Sequence, residues 1–121
     1  MPKTVLIVED YADTRTMMKF LLQRFGFQVI EAANGEEAVK STQQIHPDLI
    51  LMDLSLPVMD GLTATQIIRK QEGFGKVPII AVTAYGNSYH RRAIEAGCDD
   101  LINKPLDFDN LEGIINQYLA P

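Results

Sequence analysis

Three unbroken runs of four apolar residues each stop at side chains that carry oxygen. Val5-Leu6-Ile7-Val8 precedes Glu9 and Asp10, Leu49-Ile50-Leu51-Met52 precedes Asp53, and Ile79-Ile80-Ala81-Val82 precedes Thr83. Periodicity cannot separate a short buried strand from a buried helix, but shortness, β-branching and polar flanks favour strands. A strand that is apolar at every position has both faces covered, which is the condition of a parallel sheet inside an α/β fold. Two weaker runs, Val29-Ile30 and Leu101-Ile102, suit edge strands, which are covered less.

Between the runs lie helical patterns. Met17, Met18, Leu21, Leu22 and Phe25 recur at spacings of three and four, and Gly26 is placed to end that helix. Asn34-Gly35-Glu36-Glu37 opens a second helix carrying Ala38, Val39, Thr42 and Ile45, which Pro47 stops. Leu62 to Lys70 forms a third, closed by Gly73-Phe74-Gly75. A fourth is expected to be capped by Asn87 or Ser88 and to end at Gly97. Leu111, Ile114, Ile115, Tyr118 and Leu119 make the stripe of a fifth. Strand and helix thus alternate five times. Right-handed crossovers then put helices on both faces. With the weak strands at the edges, the expected fold class is α/β: a flavodoxin-like (βα)5 doubly wound sandwich on a five-stranded parallel sheet of order 2-1-3-4-5.

With 121 residues, 46% hydrophobic and 22% charged, the chain suits one globular domain over 1–121 and leaves no room for an effector domain. The net charge of −5 argues against direct nucleic-acid binding and against an anionic membrane surface. The single cysteine, Cys98, forms no internal disulfide or thiolate cluster. No apolar run approaches the roughly 20 residues of a membrane span. Met1-Pro2-Lys3-Thr4 leads directly into the first strand with no visible signal peptide, so a cytoplasmic location is expected.

In open α/β sheets, ligands bind beyond the carboxyl ends of the strands. Following the strands are Glu9 and Asp10, then Asp53, then Thr83 and Ala84, then Asn103, Lys104 and Pro105. Three carboxylates brought together repel one another unless a cation sits among them. Oxygen ligands without His or Cys suit Mg²⁺ or Mn²⁺, a hard ion that is often shared with phosphate oxygens. A lysine and a hydroxyl beside such a cluster make a phosphoryl site, with Asp53 as the nucleophile.

Val5-Leu6-Ile7-Val8-Glu9-Asp10, Asp48 to Asp53, Pro57-Val58-Met59-Asp60-Gly61, Ile80 to Ala84 and Lys104-Pro105 stand in the order and spacing of one family. On these pieces the chain resembles the receiver domains of two-component response regulators, in their stand-alone form. The resemblance implies Mg²⁺-dependent phosphotransfer from a sensor histidine kinase or histidine phosphotransfer protein to Asp53. It implies Glu9, Asp10, Asp53 and the Ser55 backbone carbonyl around the ion, Thr83 and Lys104 on the phosphoryl group, and a cis peptide before Pro105. The phosphodonor is expected at the first helix near Arg15 and Met18, and a downstream target at the fourth helix, fifth strand and fifth helix. By the same resemblance, Ser55, Ala84 and Tyr85 are expected to tune access to the phosphoryl group.

Two departures stand out. Glu9 replaces the commoner Asp, a longer arm that can reach an ion through water. Leu101 stands where the family usually has Tyr or Phe, so a switch has to use Leu101 repacking or a movement of Tyr85 or Tyr89. A phosphorelay carrier or phosphate sink is an alternative in the same fold. A haloacid-dehalogenase-type phosphatase is disfavoured, because its second acid is replaced here by Ser55. Asp99-Asp100 is expected to be a solvated turn, and His46 and His90 to be surface residues.

Overall fold

The computed structural model describes residues 2–119, without the side chain of Asn87. The elements are β1 (Thr4–Val8), α1 (Ala12–Arg24), β2 (Gln28–Ala32), α2 (Gly35–Gln44), β3 (Leu49–Asp53), α3 (Gly61–Lys70), β4 (Ile79–Thr83), α4 (His90–Ala96), β5 (Asp100–Asn103) and α5 (Phe108–Leu119), with a 3-10 turn at Gly86–Tyr89 before α4. All strand pairs are parallel, in the order β2-β1-β3-β4-β5. The doubly wound arrangement expected from the alternating runs is the one present.

The pleat explains why the central strands tolerate no polar interruption. Leu6, Val8, Ile50, Met52, Ile79 and Ala81 face a core closed by Ala38 of α2, Ala64 and Ile68 of α3, and Ala93 of α4. Their strand neighbours Val5, Ile7, Leu49, Leu51 and Ile80 face the opposite core, with Met18 and Leu22 of α1 and Leu111 and Ile115 of α5. Each fully buried aliphatic side chain contributes about 1.5–3 kcal/mol. The edge strands are covered less, as expected: no residue of β5 is buried, and only Ala32 of β2 is.

The sequence-based expectations fail locally at four points. Met18 is buried, and it is Met17 that faces solvent on α1. Ile45 lies beyond the end of α2 and is exposed, because the chain turns extended at that residue ahead of Pro47. Ser88 does not cap α4: its hydroxyl donates to the Tyr85 carbonyl within the 3-10 turn, and Tyr89 precedes α4 with no side-chain cap. The side chain of Asn87 lies outside the described residues. Asp99 and Asp100 are anchors rather than a solvated turn. Asp99 Oδ2 accepts from Arg69 Nη2 at 2.8 Å and from the Ile79 amide at 2.9 Å, and Asp100 Oδ2 accepts from the Tyr118 hydroxyl at 3.0 Å.

Arg69 does more than its place in a helical repeat suggests. It also donates to the carbonyls of Gly97, Phe74 and Val77, so one guanidinium ties α3 to the loops entering β4 and β5. The β3–α3 loop carries a strained γ-turn. Met59 N donates to Pro57 O at 2.7 Å, and Val58 between them has φ +67°, a region that β-branched residues rarely occupy. Burial pushes the Cys98 thiol up to about 11, consistent with a packed and unreactive side chain. Among the described residues no helix is long and apolar enough to cross a membrane.

Candidate phosphoryl and cation site

The site lies where β1 and β3 end side by side, because the connections from these two strands leave toward opposite faces of the sheet. Val8 pairs with Met52 at the last register position of that pair, so Glu9 and Asp53 emerge together. Glu9 and Asp53 are buried, at 2% and 3% exposure, while Asp10 is open to solvent. One carboxylate oxygen from each of Glu9, Asp10 and Asp53 lies within 4.8 Å of the other two.

Lys104 closes the cluster from β5. Its Nζ lies 2.8 Å from Asp53 Oδ2 and 3.1 Å from Glu9 Oε1. The Lys104–Pro105 peptide is cis. Backbone amides hold the remaining oxygens. Ser55 N donates to Asp53 Oδ1 at 2.9 Å, and Tyr11 N donates to Glu9 Oε2 at 3.1 Å. Thr83 is fully buried at the end of β4, and its Oγ1 accepts from the Tyr85 amide at 3.0 Å. That bond uses an oxygen lone pair and leaves the hydroxyl proton free to be donated.

Around the mouth, Ser55 and Ala84 are exposed. The exposed Tyr85 ring leans on Tyr89, with ring centres 5.5 Å apart and planes at 39°, and the Arg92 guanidinium lies 5.0 Å from the Tyr89 ring centre. Leu101 and Tyr89 both pack against the core on the α2–α3–α4 side.

The electrostatics follow from burial. Desolvation lifts the Glu9 carboxyl above its ordinary value, the Tyr11 N–H opposes this, the negative charge of Asp53 adds to it, and Lys104 opposes it. Burial works against the Lys104 ammonium, yet its bond to Asp53 and the charges of Asp53 and Glu9 outweigh that and hold it above its ordinary value. A carboxyl raised in the folded state binds its proton more tightly there than in the unfolded chain. It therefore costs stability progressively as pH rises from 4.5 through its folded value. In chelator, the stability of Glu9→Gln relative to wild type is accordingly expected to rise as pH increases above 4.5. Urea midpoints for the two proteins across that range measure it, and a constant or shrinking difference contradicts the assignment.

Hard oxygens from three carboxylates fit a divalent cation of the Mg²⁺ type, and no nitrogen or sulfur ligand is present in the cluster. Both Glu9 oxygens are already engaged, by Tyr11 N–H and by Lys104. Each oxygen has a second lone pair, so neither bond by itself bars a metal or a metal-bound water. Of the residues picked from the strand ends, the structure brings Glu9, Asp10, Asp53 and Lys104 into one cluster. Two contributors were not legible in the sequence: the Tyr11 amide, and Arg15, whose Nη1 donates to the Glu9 backbone carbonyl at 2.9 Å. No spacing signal marks either one, since both depend on how the β1–α1 loop folds back.

Comparison with known proteins agrees with the geometry. A family model described as the response regulator receiver domain matches residues 5–116. The chain is 45% identical over 118 residues to hybrid signal transduction histidine kinase G of Dictyostelium discoideum, covering 94% of this chain but only 3% of that protein. It is 35% identical over 121 residues to the polar-differentiation response regulator DivK of Brucella anthropi, covering 99% of this chain and 98% of that one. The receiver domain of a sensor histidine kinase from Pseudomonas aeruginosa, solved with magnesium in its active-site cleft, superposes with a TM-score of 0.92 at 35% identity over 100% of both chains.

Proposed function

Because this chain belongs to the family of response regulator receiver domains, we propose that Asp53 accepts a phosphoryl group from a phosphohistidine protein, and that the product switches a protein-binding face in two-component signalling. The observation that carries this reading is the bridging of Asp53 and Glu9 by Lys104 inside a triad of carboxylates. Such an arrangement can neutralise an incoming phosphoryl group.

An oxygen of Asp53 attacks phosphorus. The bond to the donor's imidazole nitrogen breaks, and its electron pair returns to that nitrogen. Charge spreads over the equatorial oxygens, so catalysis is mainly positioning and neutralisation. Lys104, already at Asp53 Oδ2, meets one of these oxygens, and the free Thr83 proton is donated to another. Mg²⁺ held by Glu9, Asp10, Asp53 and the Ser55 carbonyl supplies Lewis-acid neutralisation of the same charge when bound. The domain thereby catalyses its own phosphorylation and turns over no other substrate. Ala84 and Ser55 leave the group accessible, and Tyr85 flanks the approach of hydrolytic water.

The phosphodonor, a sensor kinase or histidine phosphotransfer protein in the cytoplasm, docks on α1 and the β5–α5 loop. Met17 and Phe20 are exposed there, beside a groove of about 230 Å³ lined by Thr14, Met17, Lys104, Pro105, Leu106 and Phe108. The target meets α4, β5 and α5. A phosphorelay role is the second reading, favoured by the 45% identity to a segment of a hybrid kinase. Rapid return of the phosphoryl group to a histidine protein distinguishes it from a long-lived switch.

The test is to incubate the protein with a small acyl phosphate, in Mg²⁺ and in chelator, and to measure intact mass. Gain of one phosphoryl group in Mg²⁺ only is expected. Absence of labelling, or equal labelling in chelator, overturns the proposal.

A further inference from the structure

We propose that Arg15 is a positioning residue for the cation site, holding the loop that presents Glu9 and Asp10. The inference rests on the cation reading of that cluster. Glu9 is the point where β1 leaves the sheet. Its N–H still makes a ladder-like bond to Ala32 O at 3.1 Å, but its carbonyl has passed the end of the strand. Arg15, on the first turns of α1, supplies the partner with Nη1 at 2.9 Å. The same guanidinium is braced from the other side, its Nε lying 3.3 Å from Glu31 Oε1 on β2. Glu31 is itself shared with Lys19 Nζ at 3.3 Å. A peptide plane fixed at both its carbonyl and the preceding N–H has little freedom left. The next residue in the chain is Asp10, whose exposed side chain is aimed by that backbone.

Charge and geometry act in opposite directions here, which makes the sign of the effect decisive. A guanidinium close to a dication site repels the ion, so removing it strengthens binding if charge is all that matters. If Arg15 aims the ligands, removing it weakens binding. Groups that orient metal ligands without touching the ion commonly change affinity by about 10–100-fold.

Calorimetric titration of Mg²⁺ into the metal-free protein tests this. Arg15→Met is expected to bind about tenfold more weakly, equivalent to about 1.4 kcal/mol. Arg15→Lys, with the charge and one donor restored, is expected to fall between Arg15→Met and wild type. Lys19→Met, which also strips a cation from Glu31 but leaves the Glu9 carbonyl alone, is expected to stay within about twofold of wild type. Exchange of the Tyr11 amide, bonded to Glu9, should be faster in metal-free Arg15→Met. Binding by Arg15→Met that is unchanged or tighter overturns the proposal. Should Arg15→Met not fold, Arg15→Lys carries the test, because its charge is that of wild type and any weakening is geometric; binding equal to wild type there overturns it equally. A wild type that binds no Mg²⁺ sinks both the cation reading and this inference. A wild type that binds Mg²⁺ yet takes no phosphoryl group sinks only the phosphoacceptor function.

Discussion

Asp53→Asn takes up no phosphoryl group, with labelling below about one-hundredth of wild type, and keeps its fold. The first half follows from chemistry, because an amide oxygen is not a nucleophile for phosphorus at neutral pH. The second half follows from the local bonds. An asparagine oxygen still accepts from the Ser55 amide, which lies 2.9 Å from Asp53 Oδ1. Lys104 loses the partner at 2.8 Å but keeps Glu9 at 3.1 Å, so no buried charge is stranded. The substitution also removes one of the carboxylates that repel one another in the metal-free cluster. These changes offset, and the stability of metal-free Asp53→Asn is expected within about 1 kcal/mol of wild type. Intact mass after incubation with an acyl phosphate and Mg²⁺, together with urea unfolding of both proteins, gives the two readings. Equal labelling of the variant would remove Asp53 from the centre of the mechanism. Lost labelling with lost folding would leave its chemical role unsupported.

Gly61→Ala is expected to lower stability by about 3 kcal/mol and the melting temperature by about 10 °C. Helix propensity points the other way, since alanine is favoured over glycine by up to about 1 kcal/mol inside a helix. The difference lies in what surrounds the first residue of α3. A Cβ built there overlaps the Asp53 carbonyl oxygen and falls 2.8 Å from Leu54 Cα. Both neighbours are backbone, so no rotamer change relieves the overlap. The start of α3 has to back away from the end of β3 by about an ångström. That movement breaks the bond from Gly61 N to Leu54 O at 3.2 Å and strains the cap in which Asp60 Oδ1 accepts from Thr63 N at 2.9 Å. It also shifts the peptide that carries Asp53. Misplacement by an ångström can slow a positioned reaction by up to about 100-fold, so phosphorylation is expected to slow along with the loss of stability. Thermal unfolding and labelling kinetics at saturating Mg²⁺ measure both effects. A variant as stable and as fast as wild type would show that the contact is looser than its geometry.

Glycine at this position illustrates where reading a sequence stops. Asp60-Gly61 is recognisable as a helix start, because Asp is a favoured cap and the apolar series of α3 follows it. That the residue after the cap must be glycine is a fact about a neighbouring strand, and strand neighbours are not adjacent in the chain. The same division runs through the site. Glu9, Asp10, Asp53, Thr83 and Lys104 are legible as candidates in advance because each lies within two residues of the end of an apolar run, and a parallel sheet brings all such ends to one edge. Their union needs only topology, and topology is written in the alternation of runs and helices. The grip of Arg15 on the Glu9 carbonyl, the clamp of Arg69 on three loop carbonyls, and the anchoring by Asp99 and Asp100 were all hidden. Each joins a long side chain to a group brought near by folding, and neither spacing nor hydropathy encodes such a meeting. Met17 and Met18 mark the same limit on α1: the apolar pattern marks both, but only packing against β1 and β3 decides that Met18 goes inside. Order, fold class and the set of candidate groups at the strand ends therefore come from the local pattern of the chain. The direction in which those groups are aimed comes from contacts between segments far apart in sequence, which exist only once the sheet has closed.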